Sequence, residues 1–86
     1  MADSITAVQA IQIVDEILIR EFELDRAAVV PRARMREDLG LDSLDAVDLI
    51  VALEKALSVQ IPETTAREMR TVGEVHDYIL KVAGDR

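Results

Sequence analysis

Cysteine is absent from the 86 residues, which excludes a disulfide frame, a thiolate metal site and a cysteine nucleophile. Aromatic residues are nearly absent too. Phe22 and Tyr78 are the only two, so the core has to be built from Leu, Ile, Val and Ala. No apolar run approaches the roughly 18 residues that a membrane-spanning helix needs. Cations are scarce beside anions. Ten Lys and Arg face seventeen Asp and Glu, for a formal net charge of −7 and an isoelectric point near 4.5. That balance argues against nucleic acid, whose recognition draws on many Lys and Arg contacts to phosphate, and favours partners with basic docking sites. Met1-Ala2-Asp3-Ser4 offers neither a basic start nor an early apolar stretch, so no signal peptide is expected and the chain reads as cytoplasmic. At this length, residues 1–86 read as one domain with one modest core.

What is present is helical periodicity. A first helix is predicted to begin at Ser4 or Thr6 and to end between Arg20 and Leu24. Thr6 and Gln9 have the spacing of a capping box, in which each side chain satisfies an orphan backbone donor of the first turn. Ile5, Val8, Ile11, Val14 and Leu18 recur at helical spacing, with Ile17 and Phe22 extending the set. Residues 23–42 read as a long loop in which Asp25 caps a short turn. Val29 and Val30 are its expected anchors, Pro31 forbids a continuous helix, and Met35 and Leu39 are expected to point inward. Arg32, Arg34 and Arg36 fall within five residues, either as a solvated basic patch or as a selector for a particular partner. A loop of this length in a small domain is unusual and often functional.

Gly40 gives the backbone freedom ahead of a second helix, Ser43 to about Leu57. Val59 and Ile61 then alternate inward along an extended stretch. Pro62 suits the first position of a short third helix ending near Met69 or Arg70. Thr71 and Glu74 form a second capping box and open a last helix with Val72, Val75, Ile79 and Val82 on one face, ended by Gly84.

The second helix carries more apolar surface than a core requires. With Asp45 set at zero on a wheel of about 100° per residue, Ala46, Leu49, Ile50, Leu53 and Leu57 fall within roughly 40–140°. Leu44, Val47 and Val51 fall at roughly 200–260°, off that face. Asp45 and Asp48 border this second stripe on one side and Glu54 on the other. An apolar stripe rimmed by carboxylates suggests docking to a partner with basic residues around an apolar patch, unless helices cover both faces.

Ser43 stands at the start of that helix. Its position suits an N-cap, and it equally suits a site of covalent phosphate attachment, because a helix N-terminus offers backbone N–H groups and a positive dipole end. A hydrolytic role is unsupported. The only histidine, His76, lies far along the chain and is expected at the surface, and Gly-Leu-Asp-Ser-Leu lacks the nucleophile elbow. Nor do Asp38, Asp42, Asp45 and Asp48 form a calcium loop, since Ser43 falls where the sixth-position glycine belongs; no metal site is expected.

Glu37-Asp38-Leu39-Gly40-Leu41-Asp42-Ser43-Leu44-Asp45 closely resembles the attachment motif of acyl carrier proteins. The run Ala46 to Glu54, then Ile61-Pro62-Glu63, Thr71-Val72 and Asp77-Tyr78-Ile79 resembles the same family in the same order, over roughly residues 5–82. The resemblance implies an all-α four-helix bundle with a long loop between helices 1 and 2 and a short third helix. It implies a carrier, not an enzyme, bearing 4′-phosphopantetheine that a carrier-protein synthase transfers from coenzyme A to Ser43, between Asp42 and Leu44. Acyl groups would ride as thioesters on that arm in fatty-acid biosynthesis or in a specialised lipid or polyketide route. Helix 2 would be the recognition helix, presenting Leu44, Asp45, Val47, Asp48, Val51 and Glu54 to acyl-transferring and chain-extending enzymes. Ile50, Leu53, Ile61 and Ala66 would line an acyl pocket in a monomeric protein. Lys55-Ala56, Leu57, Thr64-Thr65-Ala66-Arg67, Met35 and the three arginines depart from the common bacterial fatty-acid pattern. An aminoacyl or peptidyl carrier and an unmodified helical adaptor are the alternatives.

Overall fold

The computed structural model describes residues 6–83. Among them are four α-helices and no strand: α1 (Ala7–Phe22), α2 (Ser43–Leu57), α3 (Glu63–Glu68) and α4 (Val72–Ala83). A single 3-10 turn, Arg26–Ala28, interrupts the long α1–α2 connection. The chain is therefore all-α, as expected. Ser4, Ile5 and Gly84, which the sequence placed at the two ends of the bundle, lie outside the described residues.

Helix α1 starts where its capping box predicts. The Gln9 N–H donates to Thr6 Oγ1 and the Thr6 N–H to Gln9 Oε1, both at 3.1 Å. It ends at Glu23, which takes the left-handed conformation with φ 54°. Its buried face is centred on Ala10, Val14 and Leu18. Val8 belongs to the first turn, misses that face and is 64% exposed, contrary to the periodicity. Helix α4 opens on the Thr71–Glu74 box, with the Glu74 N–H donating to Thr71 Oγ1 at 3.1 Å. It buries Val72, Val75 and Ile79 completely. Pro62 stands one position earlier than expected, at the N-cap of α3, where its φ of −59° still leads into the helix.

The core joins these faces to Leu49, Ile50, Leu53 and Leu57 of α2 and to Val59 and Ile61 beyond it. Leu53 has no exposed surface, so Leu53→Ala should cost about 2–5 kcal/mol. His76 corrects the sequence reading. It is buried on α4, 7% exposed, and its Nε2 lies 2.7 Å from Asp15 Oδ1 on α1. A buried imidazole needs such a partner, and the carboxylate comes from 61 residues away.

The α1–α2 connection is ordered by main-chain bonds to the start of α4. Met35 N–H donates to Arg70 C=O at 2.8 Å, Val72 N–H to Ala33 C=O at 3.0 Å and Gly73 N–H to Pro31 C=O at 2.8 Å. Gly73 permits this approach, because a Cβ there would stand 3.0 Å from the Pro31 carbonyl oxygen. Val29, Ala33, Met35, Leu39 and Leu41 are buried beneath the segment, while Val30 is half-buried. The strap thus fixes the point from which α2 departs.

Candidate functional site

The turn before α2 is built by backbone bonds that close on the strap. Gly40 N–H donates to Arg36 C=O at 3.0 Å and Leu41 N–H to Met35 C=O at 2.9 Å. Gly40 has φ +71°, where a side chain would be strained. Leu41 turns into the core and the next residue, Asp42, takes the N-cap of α2.

Asp42, not Ser43, is the cap. The Asp45 N–H donates to Asp42 Oδ1 at 3.0 Å, and the Asp42 N–H donates back to Asp45 Oδ2 at 3.1 Å. Aspartate is as good a cap as serine, and the reciprocal box with Asp45 decides between two adjacent candidates. The Asp45 N–H holds the Asp42 carboxyl below its ordinary value, assisted by the nearby Leu44 N–H. Ser43 therefore falls at the first helical position with its side chain exposed and no bonding partner among the described residues. That leaves its hydroxyl to solvent, at the positive end of the α2 dipole. Leu44 beside it is 76% exposed. An exposed hydroxyl with open space around it and a helix N-terminus behind it fits the attachment of a phosphate ester.

Along α2 the two apolar stripes separate as predicted. Leu49, Ile50, Leu53 and Leu57 are buried, while Val47 and Val51 are 46% and 43% exposed in line with Leu44. The acids around the exposed stripe differ in what they do. Asp48 is exposed and without a partner among the described residues. Asp45 is engaged in the capping box. Glu54 is half-buried, and its Oε2 accepts the Ile61 N–H at 2.8 Å, so it ties the chain beyond α2 back to the helix. The sequence treated all three as rim charges. The structure leaves Asp48 as the one whose carboxylate does no structural work.

Of the residues expected to line an acyl pocket, Ile50, Leu53 and Ile61 are buried and Ala66 is half-buried against the same core. A shallow open depression lies beside them, lined by Glu54, Val59, Gln60, Ile61 and Pro62. It includes only Ile61 of the expected set. Glu54, Val59 and Gln60 at its rim could not be anticipated, because they come together through the bond between Glu54 and the Ile61 backbone. Among the described residues no cluster of His, Asp or Glu is arranged to hold a metal ion. No helix there is long and apolar enough to cross a membrane.

Residues 12–79 match the family model described as a phosphopantetheine attachment site. An acyl carrier protein of Syntrophobacter fumaroxidans is 41% identical over 75 residues, spanning 87% of this chain and 91% of its own. One from Phytoplasma australiense is 43% identical over 65 residues, or 76% and 86% of the two chains. One from Rubrobacter xylanophilus is 40% identical over 73 residues, or 85% and 90%.

Proposed function

The chain belongs to the acyl carrier protein family, whose members are carriers and not enzymes and hold 4′-phosphopantetheine covalently, and from that premise we propose that Ser43 is its attachment residue. The observation that supports this most is the division of labour at the start of α2. Asp42 and Asp45 supply the cap, and Ser43, between Asp42 and Leu44, is left with an exposed hydroxyl. When bound, the arm supplies a thiol on which an acyl group is carried as a thioester. Ser43 holds the arm through Oγ, the α2 N-terminus favours its phosphate, and the Gly40 turn and the strap fix where that hydroxyl stands.

In this reading the chain works as a single carrier domain, docking through Leu44, Val47 and Val51 with Asp48 as the principal rim charge and Asp45 and Glu54 contributing from bonded positions. Its partners are the carrier-protein synthase and the acyl-transferring and chain-extending enzymes. Of the two routes the sequence allows, fatty-acid biosynthesis and a specialised lipid or polyketide pathway, the second is the one proposed. The departures Lys55, Thr64 and Arg67 lie on the exposed surface of α2 and α3, where partners are chosen. The test of the attachment residue is intact mass after incubation with coenzyme A, magnesium and a broad-specificity carrier-protein synthase. Wild type should gain one phosphopantetheine and Ser43→Ala none. No gain in either would leave an unmodified adaptor as the better reading.

A further inference from the structure

Arg32, Arg34 and Arg36 look alike in sequence, and the structure separates them. Ala33 and Met35 between them turn into the core, so all three arginines face outward. Arg34 is used internally. Its Nε and Nη2 donate to Asp38 at 3.2 and 3.3 Å, and its backbone N–H donates to the same carboxylate at 2.7 Å. Arg32 and Arg36 hold no carboxylate among the described residues. Neither does Arg70, whose carbonyl receives the Met35 N–H and so lies across the strap from them. By contrast, Arg26 and Arg67 each pair with a glutamate.

The nearby acids are mostly engaged. Asp38 is on Arg34, and Glu74 accepts the backbone N–H groups of Arg70 and Thr71, leaving Glu37. These guanidinium groups are carried on backbone held by the three main-chain bonds to the start of α4, so no backbone has to be ordered when they meet a partner. The Gly40 N–H bond to the Arg36 carbonyl joins the strap to the turn that delivers Ser43. Two surfaces are therefore joined through the chain segment that ends at Ser43. One, along α2, is apolar and acidic. The other, on the strap, is basic.

We infer that Arg32, Arg36 and Arg70 form a second docking element, which selects carrier-dependent enzymes that present carboxylates beside the mouth of the active site. This rests on the reading of Ser43 as the attachment residue. Guanidinium groups pair with carboxylates in a planar fork, and exposed rim charges act on partner choice and association rate more than on affinity. A partner with a purely basic rim meets repulsion here, while one that is basic toward α2 and acidic toward the strap is matched on both sides of the serine. The chain's net charge of −7 opposes an anionic membrane as the occupant.

The experiment uses the double variant Arg32→Glu/Arg36→Glu, with Arg34 kept because it holds Asp38. Its binding is measured beside wild type against the purified acyl-transferring and chain-extending enzymes of the source genome, at low and physiological ionic strength. At least one enzyme should bind the double variant ten or more times more weakly at low salt, with the deficit shrinking as salt rises. Synthase loading, read by intact mass, should match wild type. If every enzyme binds both proteins within twofold, the inference is overturned. Arginine-dependent binding of wild type to phosphatidylglycerol vesicles, with no enzyme affected, overturns it in favour of a lipid surface. Failure of wild type to load at all is a different result: it removes the Ser43 reading on which this one depends.

Discussion

Ser43→Ala separates chemistry from structure at one atom. Because Asp42 makes the capping bond, the substitution removes no hydrogen bond among the described residues and opens no cavity. An exposed change of this kind moves stability by at most about 0.5 kcal/mol, and the better helix propensity of alanine works in the favourable direction. Unfolding entropy near 2.1 cal/mol/K per residue gives about 180 cal/mol/K for a chain of this length. The expected shift in thermal midpoint is then no more than about 3 °C. Circular dichroism melts of the two unmodified proteins measure it directly. A fall of about 6 °C or more, near 1 kcal/mol, would show that the serine carries the cap after all and would refute the division of labour described for Asp42 and Ser43. The same pair of samples, incubated with synthase and coenzyme A, should differ completely in mass gain.

Other perturbations reach other links in the structure. Arg34 holds the Asp38 carboxyl below its ordinary range, and the Asp45 N–H does the same for Asp42. Both groups therefore contribute stability that is complete above the unfolded carboxylate value, near 3.9, and is lost as pH falls through the lower folded values. Melts across that acid range should show a falling midpoint, and Asp38→Asn/Asp42→Asn should flatten it; an acid limb as steep as that of wild type would contradict the assignment. Asp48→Lys should weaken binding to basic-rimmed partners, more at low salt, without moving the melt, and salt-independent binding would remove Asp48 from the docking face. Asp15→Ala leaves the buried His76 imidazole without its carboxylate and should cost about 1–3 kcal/mol in urea unfolding.

The helices were legible because their signals are local. Thr6 with Gln9 and Thr71 with Glu74 are separated by three residues, and the apolar spacing of Leu49, Ile50, Leu53 and Leu57 needs only one helix to be read. What the sequence hid depends on contacts between distant segments. His76 was placed at the surface because its partner Asp15 belongs to another helix. The order of the long connection was invisible for the same reason. Its bonds run from Pro31, Ala33 and Met35 to Arg70, Val72 and Gly73, and backbone groups carry no sequence signature. The cap was read at Ser43 and not at Asp42 because the partner that completes the box, Asp45, is a less familiar third-position acid than Glu or Gln.

The same separation explains what kind of surface α2 presents. In an 86-residue chain the apolar area available to a core is limited, and Leu44, Val47 and Val51 contribute little to it while exposed. Burying what remains exposed on them is a gain open only to a complex, as the proposed docking requires. The acids sort by the same criterion. Asp45 stabilises the helix start and Glu54 the connection to Ile61, so removing either changes the fold as well as the rim. Asp48 has no such duty. A docking defect from Asp45 or Glu54 is therefore ambiguous by construction, whereas one from Asp48, Val47 or Val51 reports on the partner, and a map of the interface should be built outward from those three and the serine.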